Sequence, residues 1–311
     1  DYSPYSGAGS CGHWLFEPQS TNLYTYSNDV SFWTKSNAVV TSDYAVSPDG
    51  TQNAFRAVFS SSAGLLYITS TGAISTNNTL SVWAKSNGGS SNKFRFFGNG
   101  NTLKSNDYVA TNEWQRFEFT YNCTSVTSGL TGASDSATND VLFYGFQHEA
   151  LSYATSYIPT EGSIKTRLQE AAFGAGNSDL INSTEGVLYA EIAKFQDNND
   201  NFILLSLNNS SDNSDSNTVT IGFDSDDDFF IRVEANNVPA FYSNDQTSSK
   251  NVFYKVALSY KSGDSKIYIN GNSITPNTGS LTNAFSFGST LDNLSFDFNG
   301  NGVLPFYGKT K

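Results

Sequence analysis

The sequence predicts an all-β chain built from two tandem antiparallel β-sandwiches. Three observations carry this prediction: a length of 311 residues, a composition suited to strands and turns, and short alternating runs separated by clusters of Gly, Asn, Asp and Ser. Because single domains usually hold about 100–150 residues, the length favours two domains.

The composition favours strands over helices. The chain holds 24 Phe and 17 Tyr, it has no Met, and aromatic residues make up 14% of it. Aromatic and β-branched side chains suit the pleated surface of a sheet, whereas long helices favour Ala, Leu, Glu, Lys and Met. We therefore expect helix to contribute little to the fold.

Alternation and hairpin chemistry locate individual strands. The run Arg116-Phe-Glu-Phe-Thr-Tyr121 alternates polar and aromatic side chains, as a half-buried strand does. The run Lys266-Ile-Tyr-Ile-Asn-Gly-Asn272 ends with an Asn-Gly pair, which is preferred in type I′ hairpins. Together with Tyr254-Lys-Val-Ala-Leu-Ser-Tyr260, it predicts an antiparallel meander. Short strands with turn signals between them are typical of sandwiches.

The domain boundary is placed at a short helical pattern. Residues 164–172 space their apolar side chains as a helix would, and glycines follow shortly afterwards. We predict the first sandwich over residues 1–163, a linker over 164–177 and the second sandwich over 178–311.

Charge and hydropathy exclude two classes of partner. The net charge of −12 disfavours nucleic acid, because phosphate binding needs clustered Lys and Arg. No apolar run approaches the roughly 20 residues that a spanning helix needs, so we expect no membrane insertion. A surface rich in hydroxyls and amides favours an extracellular location. The chain starts at Asp1, and we expect a processed or partial product.

The cysteines and histidines are few and far apart. Cys11 and Cys123 could pair as a disulfide, and the sequence leaves this open. Neither Cys11 with His13 nor Cys123 with His148 matches a common metal signature or gives a recognisable catalytic dyad. We expect all four to be ordinary structural residues.

Carboxylates do not form a catalytic pattern. Glycoside hydrolysis needs two carboxylates held across the scissile bond. Glu185 and Glu191 are six residues apart, while Glu113 and Glu118 are five apart and would face opposite sides of a strand. We therefore predict that the chain is not an enzyme.

Acidic loops offer candidate calcium ligands. Calcium takes six to eight oxygen ligands and tolerates irregular loops. The candidates in the second half are Asp197, Asp200, Asp224, Asp226 and Asp228. The alternative is that these clusters are solvated turns, in which Asp is common.

Aromatic residues offer candidate carbohydrate ligands, because sugars stack their C–H faces on Trp or Tyr rings beside hydrogen-bonding side chains. The strand patterns around Trp83 and Trp114 predict that both lie in a core. Less regular segments hold the candidate binding residues Trp14, Trp33, Tyr242 and Asn244. Each of these four could equally be a packing residue.

Four segments of the first half resemble one family. Glu17-Pro-Gln-Ser-Thr-Asn-Leu-Tyr24 and Ser47-Pro-Asp-Gly-Thr-Gln-Asn-Ala54 resemble the opening of a jelly-roll module of bacteriophage tail and fibre proteins, and Phe32-Trp-Thr-Lys-Ser-Asn37 fits the same module. Phe146-Gln-His-Glu-Ala-Leu-Ser-Tyr-Ala-Thr-Ser-Tyr-Ile-Pro-Thr160 resembles its close. That module is similar to carbohydrate-binding modules.

The second half resembles a different sandwich. Leu180-Ile-Asn-Ser-Thr-Glu-Gly-Val-Leu-Tyr-Ala-Glu-Ile192 and the meander after Tyr254 resemble the concanavalin A-like, laminin G-like fold. One departure concerns the end of the chain, since the family usually continues past residues 306–311 with another strand.

The resemblance implies a function but no catalytic residues. It implies a non-catalytic tail-fibre or receptor-binding protein on the virion surface that recognises host cell-surface carbohydrate. It also implies a homotrimer in contact with other virion proteins. The alternatives are a structural virion decoration protein that mediates subunit contacts, and a binding appendage of a polysaccharide-degrading enzyme.

Overall fold

The protein was analysed as a computed structural model, which describes residues 14–70, 76–88, 91–168, 170, 172–194, 202–210, 216–299 and 306–309. Backbone contacts divide the chain into two compact units. The first unit is Gln19–Leu168, and the second combines Asp1–Pro18 with Gln169–Lys311.

Strands dominate both units, and the only helical elements among the described residues are two 3-10 turns, Val30–Phe32 and Asn99–Asn101. In chain order up to the end of the first unit the strands are β1 Trp14–Phe16, β2 Ser20–Asn22, β3 Thr34–Ser36, β4 Ala38–Ala45, β5 Ala54–Phe59, β6 Leu65–Thr69, β7 Thr76–Ser86, β8 Asn92–Gly98, β9 Leu103–Lys104, β10 Tyr108–Ala110, β11 Gln115–Cys123, β12 Thr127–Gly132, β13 Asn139–Glu149 and β14 Lys165–Arg167. They continue with β15 Ala172–Ala175, β16 Glu185–Lys194, β17 Phe202–Asn208, β18 Asn217–Phe223, β19 Phe229–Ala235, β20 Val238–Ser243, β21 Tyr254–Lys261, β22 Lys266–Ile269, β23 Asn272–Ile274, β24 Thr278–Gly279, β25 Asn293–Asn299 and β26 Phe306–Lys309.

The predicted all-β fold class of two antiparallel sandwiches is confirmed. In the first unit a five-stranded sheet has the order β11-β7-β13-β5-β4, and a second sheet has the order β10-β8-β12-β6-β3 with β9 beside β8. Their facing sides bury an aromatic core in which Phe94 packs edge-on against Phe143, with ring centroids 5.0 Å apart. The alternation predicted for β11 is also confirmed, because Phe117 and Phe119 pack against this core while Glu118 and Thr120 are exposed.

A bulge in β13 sets the direction of its side chains. The register with β7 shifts between Tyr144 and Gln147, and Gly145 adopts a φ of +68°, which favours glycine. As a result Phe143 and Phe146 both reach the core, while Tyr144 lies on the opposite face of the sheet.

The helix predicted near residues 164–172 is not formed by the described part of that segment. Strand β14 instead pairs with β2, with the hydroxyls of Thr21 and Thr166 2.7 Å apart. A helix this short is marginal in water, whereas pairing with β2 satisfies the backbone groups of β14 directly.

The second unit contains a six-stranded sheet of order β1-β26-β16-β21-β22-β23 and a seven-stranded sheet of order β15-β25-β17-β18-β19-β20-β24. The two sheets meet where Phe229 packs edge-on against Tyr254, with centroids 4.9 Å apart. The predicted meander is confirmed as β21-β22-β23, and its tight turn has positive φ at both Asn270 and Gly271, as a type I′ turn requires.

Strand β1 differs from the predicted domain organisation, which assigned residues 1–163 to the first sandwich. Its backbone pairs with β26 in the second unit, with Trp14 opposite Gly308. The observed division therefore lies after Pro18 and after Leu168. The segment predicted as a linker, 164–177, contributes β14 to the first unit and β15 to the second.

A buried lysine fixes one turn of the second unit. Lys194 is 1% exposed, and its Nζ lies 2.5 Å from Oδ1 of Asp227 and donates to the Asp227 carbonyl at 3.3 Å. Asp227 has a φ of +71° in the turn between β18 and β19. The ion pair thus ties β16 to this turn.

We expect Asp227→Asn to destabilise the second unit by about 2 kcal/mol, because it leaves the Lys194 ammonium buried without a counter-charge while asparagine still tolerates the positive φ. The double variant Asp227→Asn with Lys194→Met should recover at least half of this loss. Urea unfolding measures both effects. A double variant no more stable than Asp227→Asn alone would contradict the explanation.

No described segment forms a helix long and apolar enough to cross a membrane.

Candidate functional site

The candidate site lies on the outer face of the five-stranded sheet in the first unit, centred on Trp83. Val82 and Ala84 belong to the core, so strand alternation places Trp83 and Lys85 on the opposite side of the sheet. Trp83 is half-buried there, and the prediction that it lies in the core is therefore wrong. We call this surface the Trp83 face.

Two rows of side chains cross the strands of this face. In register, the first row is Tyr144, Trp83 and Arg116 on β13, β7 and β11. The second row is Thr41, Arg56, Leu142 and Lys85 on β4, β5, β13 and β7. Because neighbouring strands lie about 4.8 Å apart, the second row extends roughly 14 Å across the sheet.

The segment after β13 forms one wall of the Trp83 face. The Thr79 hydroxyl donates to the Leu151 carbonyl at 2.8 Å, and Arg116 Nη2 donates to the Thr155 carbonyl at 2.5 Å. Tyr157 ends this wall next to Trp83 and meets the Tyr144 ring edge-on, with centroids 5.4 Å apart. The Tyr157 hydroxyl lies 2.6 Å from that of Ser27, which holds the ring in place.

The anchor of this wall is the buried carboxylate of Glu149. It accepts hydrogen bonds from the Ser20 hydroxyl at 2.5 Å, the Thr155 hydroxyl at 2.5 Å and the Thr155 amide at 3.0 Å. These bonds connect β2, the end of β13 and the wall segment. The segments Glu17–Tyr24 and Phe146–Thr160, which both carry the family resemblance, are thus joined by the hydrogen bond between Ser20 and Glu149.

The loop between β4 and β5 forms the other wall, and Asp49 organises it. The Asp49 carboxylate accepts from the Thr51 amide at 2.7 Å, from Asn53 Nδ2 at 2.8 Å and from the Tyr144 hydroxyl at 2.8 Å. Burial would raise the pKa of Asp49, but hydrogen bonds from Asn53, Thr51 and Tyr144 together hold it well below its usual range. The loop is therefore tied to the sheet by an ionised carboxylate.

Aromatic rings surround the open part of the face. Trp114 is half-buried, not a core residue as predicted, and its Nε1 donates to the carbonyl of Val46 in the Asp49 loop at 3.2 Å. Tyr44 is 43% exposed, and the Arg56 guanidinium lies 5.2 Å above its ring. Arg56 also forms a bidentate pair with Asp140 at 2.8 and 2.6 Å. The face thus combines fixed aromatic rings with polar groups at its edges.

We expect Asp49→Ala to weaken ligand binding at the Trp83 face by about 3–10-fold and to destabilise the unit by about 1–2 kcal/mol, since several donors lose their acceptor. The matched control is Asp135→Ala, which removes an exposed carboxylate that pairs with Lys93. Titration with a bound glycan and urea unfolding give the two readouts. Equal effects of the two substitutions on binding would contradict a role for Asp49 in positioning this wall.

Trp33 does not lie on any surface, so the proposal that it binds sugar is corrected. It is 3% exposed, its Nε1 donates to the Tyr26 carbonyl at 2.8 Å, and its ring packs 4.8 Å from Phe146. The irregular sequence around it reflects a 3-10 turn that folds the ring into the core. The side chain of Trp14 lies outside the described part of the chain.

Tyr242 and Asn244 belong to the second unit and are not part of the Trp83 face. Tyr242 is half-buried in β20, opposite Arg232 on β19 and Thr278 on β24. Asn244 accepts a hydrogen bond from Asn277 Nδ2 at 2.8 Å. The Asn244 carboxamide is therefore already hydrogen-bonded to the loop that contains Asn277.

The predicted calcium ligands are not assembled where they are described. Asp224 is 3% exposed, and its Oδ1 accepts from the amides of Asp226 and Asp228 at 3.0 and 2.9 Å, which closes a turn. Burial raises the pKa of Asp224. Within the described ranges no three His, Cys, Asp or Glu side chains are grouped to hold a metal. Asp197 and Asp200 lie outside the described residues.

Cys123 and His148 are both buried in the first unit. Cys123 carries a free thiol that donates to the Ser125 carbonyl at 3.4 Å. Cys11, with which the sequence left a disulfide open, lies outside the described residues.

Of the site residues that sequence reasoning missed, Trp83 carries a signal in its own strand. On β7, Trp83 has the same strand phase as Ser81 and Lys85, whereas Leu80, Val82 and Ala84 occupy the other phase. Two polar neighbours on the phase of Trp83 indicate an outward ring. No comparable signal marks Tyr157 or Asp49, because loops place both.

Comparisons with known proteins identify no family. No family model matches the chain, and no curated protein matches it. Similar solved structures include the CBM22-1–GH10 modules of a Clostridium thermocellum xylanase complexed with xylohexaose, at 15% identity, 46% coverage of this chain and a TM-score of 0.30. This chain covers 30% of that structure.

Two further structures match over most of this chain. The tandem CBM22 domains of Paenibacillus barcinonensis Xyn10C are 11% identical, with 98% of this chain and 92% of that one covered and a TM-score of 0.32. Domains LG4-5 of the mouse laminin α1 chain are 9% identical, with 96% and 84% covered and a TM-score of 0.23. TM-scores this low support no argument about function, which must come from the site itself.

Proposed function

We propose that this chain is a carbohydrate-binding protein and that the Trp83 face of its first unit is the binding surface. The observation that carries the proposal is the half-buried ring of Trp83, which faces outward in a row with Tyr144 and Arg116 and lies between two walls. Sugars present weakly apolar C–H faces that stack on such rings, and their hydroxyls need polar partners at the rim.

The rigidity of the face supports this proposal. Tyr144 is fixed by Asp49, Tyr157 by Ser27 and Trp114 by the Val46 carbonyl. Rings that are already fixed lose little conformational entropy when a ligand binds, which improves affinity. The parts of the Trp83 and Trp114 rings that remain exposed are in contact with water, and a ligand that covers this apolar area gains free energy.

The segments that begin at Glu17, Ser47 and Phe146 resemble a module of bacteriophage tail and fibre proteins. On the basis of this resemblance, we further propose that the glycan lies on a host cell surface. The chain would then act without catalysis, as a homotrimeric component of a phage virion. Calcium dependence stays a prediction for the acidic loops of the second unit.

A glycan array probed with the full chain, with and without chelator, tests the proposal. Binding of one or more polysaccharides is expected, and loss with chelator would reveal a calcium-dependent site. A reducing-sugar assay on every bound polysaccharide should detect no new chain ends, and measurable turnover would overturn the non-catalytic assignment. Absence of binding under both conditions would overturn carbohydrate recognition and favour a structural virion role.

A further inference from the structure

We propose that the glycan bound at the Trp83 face is anionic and that Lys85 binds its carboxylate or sulfate group. This inference rests on the proposed function and adds the chemical class of the ligand. It starts from the position of Lys85, which lies two residues after Trp83 on the same side of β7 and opposite Leu142 on β13.

Lys85 differs from several other cations of the first unit in its lack of a counter-charge. On its own face, Arg56 pairs with Asp140; on β8 of the opposite sheet, Lys93 pairs with Asp135 and Arg95 with Asp107. Among the described residues, Lys85 has neither an ion pair nor a side-chain hydrogen bond. Asp140 lies two residues before Leu142 on the same side of β13, but Arg56 and Asn87 already donate to its carboxylate. Lys85 is therefore a half-buried cation without an ion pair in a chain of net charge −12.

The side chains around Lys85 leave its charge available to a ligand. Leu142 is directly opposite Lys85 and Arg56 on its two neighbouring strands, and it is only 6% exposed although it lies on the outer face. The aliphatic stems of the two cations can cover this leucine while their charged ends stay in water. Because Lys85 and Trp83 project from the same side of β7 two residues apart, the Lys85 ammonium is within reach of a ligand that stacks on Trp83.

A sugar stacked on Trp83 would displace water from this ammonium. Removing water from an unpaired charge is unfavourable unless the ligand supplies a compensating group, and an anion compensates a cation better than a neutral hydroxyl does. Arg56 does not offer the same site, because Asp140 already neutralises it. A ligand with an anionic group at Lys85 is therefore favoured over its neutral analogue.

Matched polysaccharides and variants of the full chain test the inference. The carboxylate arm uses polygalacturonate, alginate, hyaluronate and polysialate, each beside its own carboxyl-reduced product, and the sulfate arm uses dextran sulfate beside dextran. The variants are Lys85→Gln, the matched control Lys35→Gln, and Trp83→Ala. Lys35 is an exposed lysine on β3 of the opposite sheet, so it reports the effect of net charge alone.

We expect at least one acidic polysaccharide to bind about 10-fold more tightly than its neutral partner. Lys85→Gln should remove most of that difference, and Lys35→Gln should leave it unchanged. The arm that shows the effect identifies carboxylate or sulfate as the group.

Two outcomes overturn the inference and can be told apart. If neutral and acidic partners bind equally, or if Lys85→Gln and Lys35→Gln have equal effects, the anionic class is wrong. The proposed function then still holds provided that Trp83→Ala weakens binding. If no polysaccharide of either kind binds, the proposed function fails together with the inference.

Discussion

Trp83→Ala is expected to weaken glycan binding by at least about 30-fold, which corresponds to about 2 kcal/mol, the size typical of a central aromatic hot spot. The reason is position: the ring lies in register between Tyr144, which is bound to the Asp49 loop, and Arg116, which is bound to the segment after β13. Binding constants from calorimetry on the best array ligand provide the measurement.

The fold should survive this substitution, because the Trp83 ring lies outside the core of the first unit. Tyr268→Ala is the matched control, since Tyr268 is 38% exposed on β22 of the second unit. Trp83→Phe should retain part of the affinity, because a smaller ring still stacks. Wild-type affinity in Trp83→Ala, with an unchanged unfolding midpoint, would rule out the Trp83 face as the binding surface.

Acid is expected to destabilise the first unit through His148. This imidazole is fully buried, its Nε2 donates to Asn78 Oδ1 at 2.9 Å, and Nδ1 has no partner among the described residues. Burial lowers the pKa of His148 from 6.5 to about 3. A protonated ring would carry a second N–H that no described group accepts.

Proton linkage gives the direction in which the stability of the first unit changes with pH. Below pH 6.5 the unfolded chain takes up a proton at this position, but the folded chain does not until the pH approaches 3. The contribution of His148 to stability is therefore complete above its unfolded pKa and is lost as the pH falls, by about 1.4 kcal/mol per pH unit. Between pH 6.5 and 4.5 the loss should reach about 2–3 kcal/mol.

The non-titrating variant His148→Gln isolates this effect from the carboxylates. Urea unfolding of wild type and variant from pH 7.5 to 4.5 gives the difference in slope, which should correspond to about one proton in the acidic range. Parallel curves over the whole range would show that His148 is protonated equally in both states and would contradict its burial as a neutral ring.

The sequence alone could identify local structure. The alternation of Phe117 and Phe119 follows from the period of a strand, and the turn at Asn270 and Gly271 follows from the few residues that tolerate positive φ. Both are interactions between neighbours in the chain, so composition and spacing determine them. The same is true of the all-β class, since 14% aromatic residues and abundant turn residues favour strands throughout.

Contacts between residues far apart in the sequence determine which aromatic rings are buried and which strands pair at the ends of the chain. Trp33 and Trp83 both occur near strands, but only the packing of two sheets shows that Trp33 meets Phe146 in the core and that Trp83 faces solvent. The pairing of Trp14–Phe16 with Phe306–Lys309 joins opposite ends of the sequence, which no local pattern encodes.

The candidate site also depends on contacts between residues far apart in the sequence. Its walls form because Asp49 binds Tyr144, 95 residues away, and because Glu149 binds Ser20, 129 residues away. The sequence by itself determined that this protein folds as antiparallel sandwiches and that it is rich in aromatic residues. Which of those rings are exposed was decided only by tertiary structure, because exposure depends on how whole sheets pack and not on any ring's neighbours in the chain.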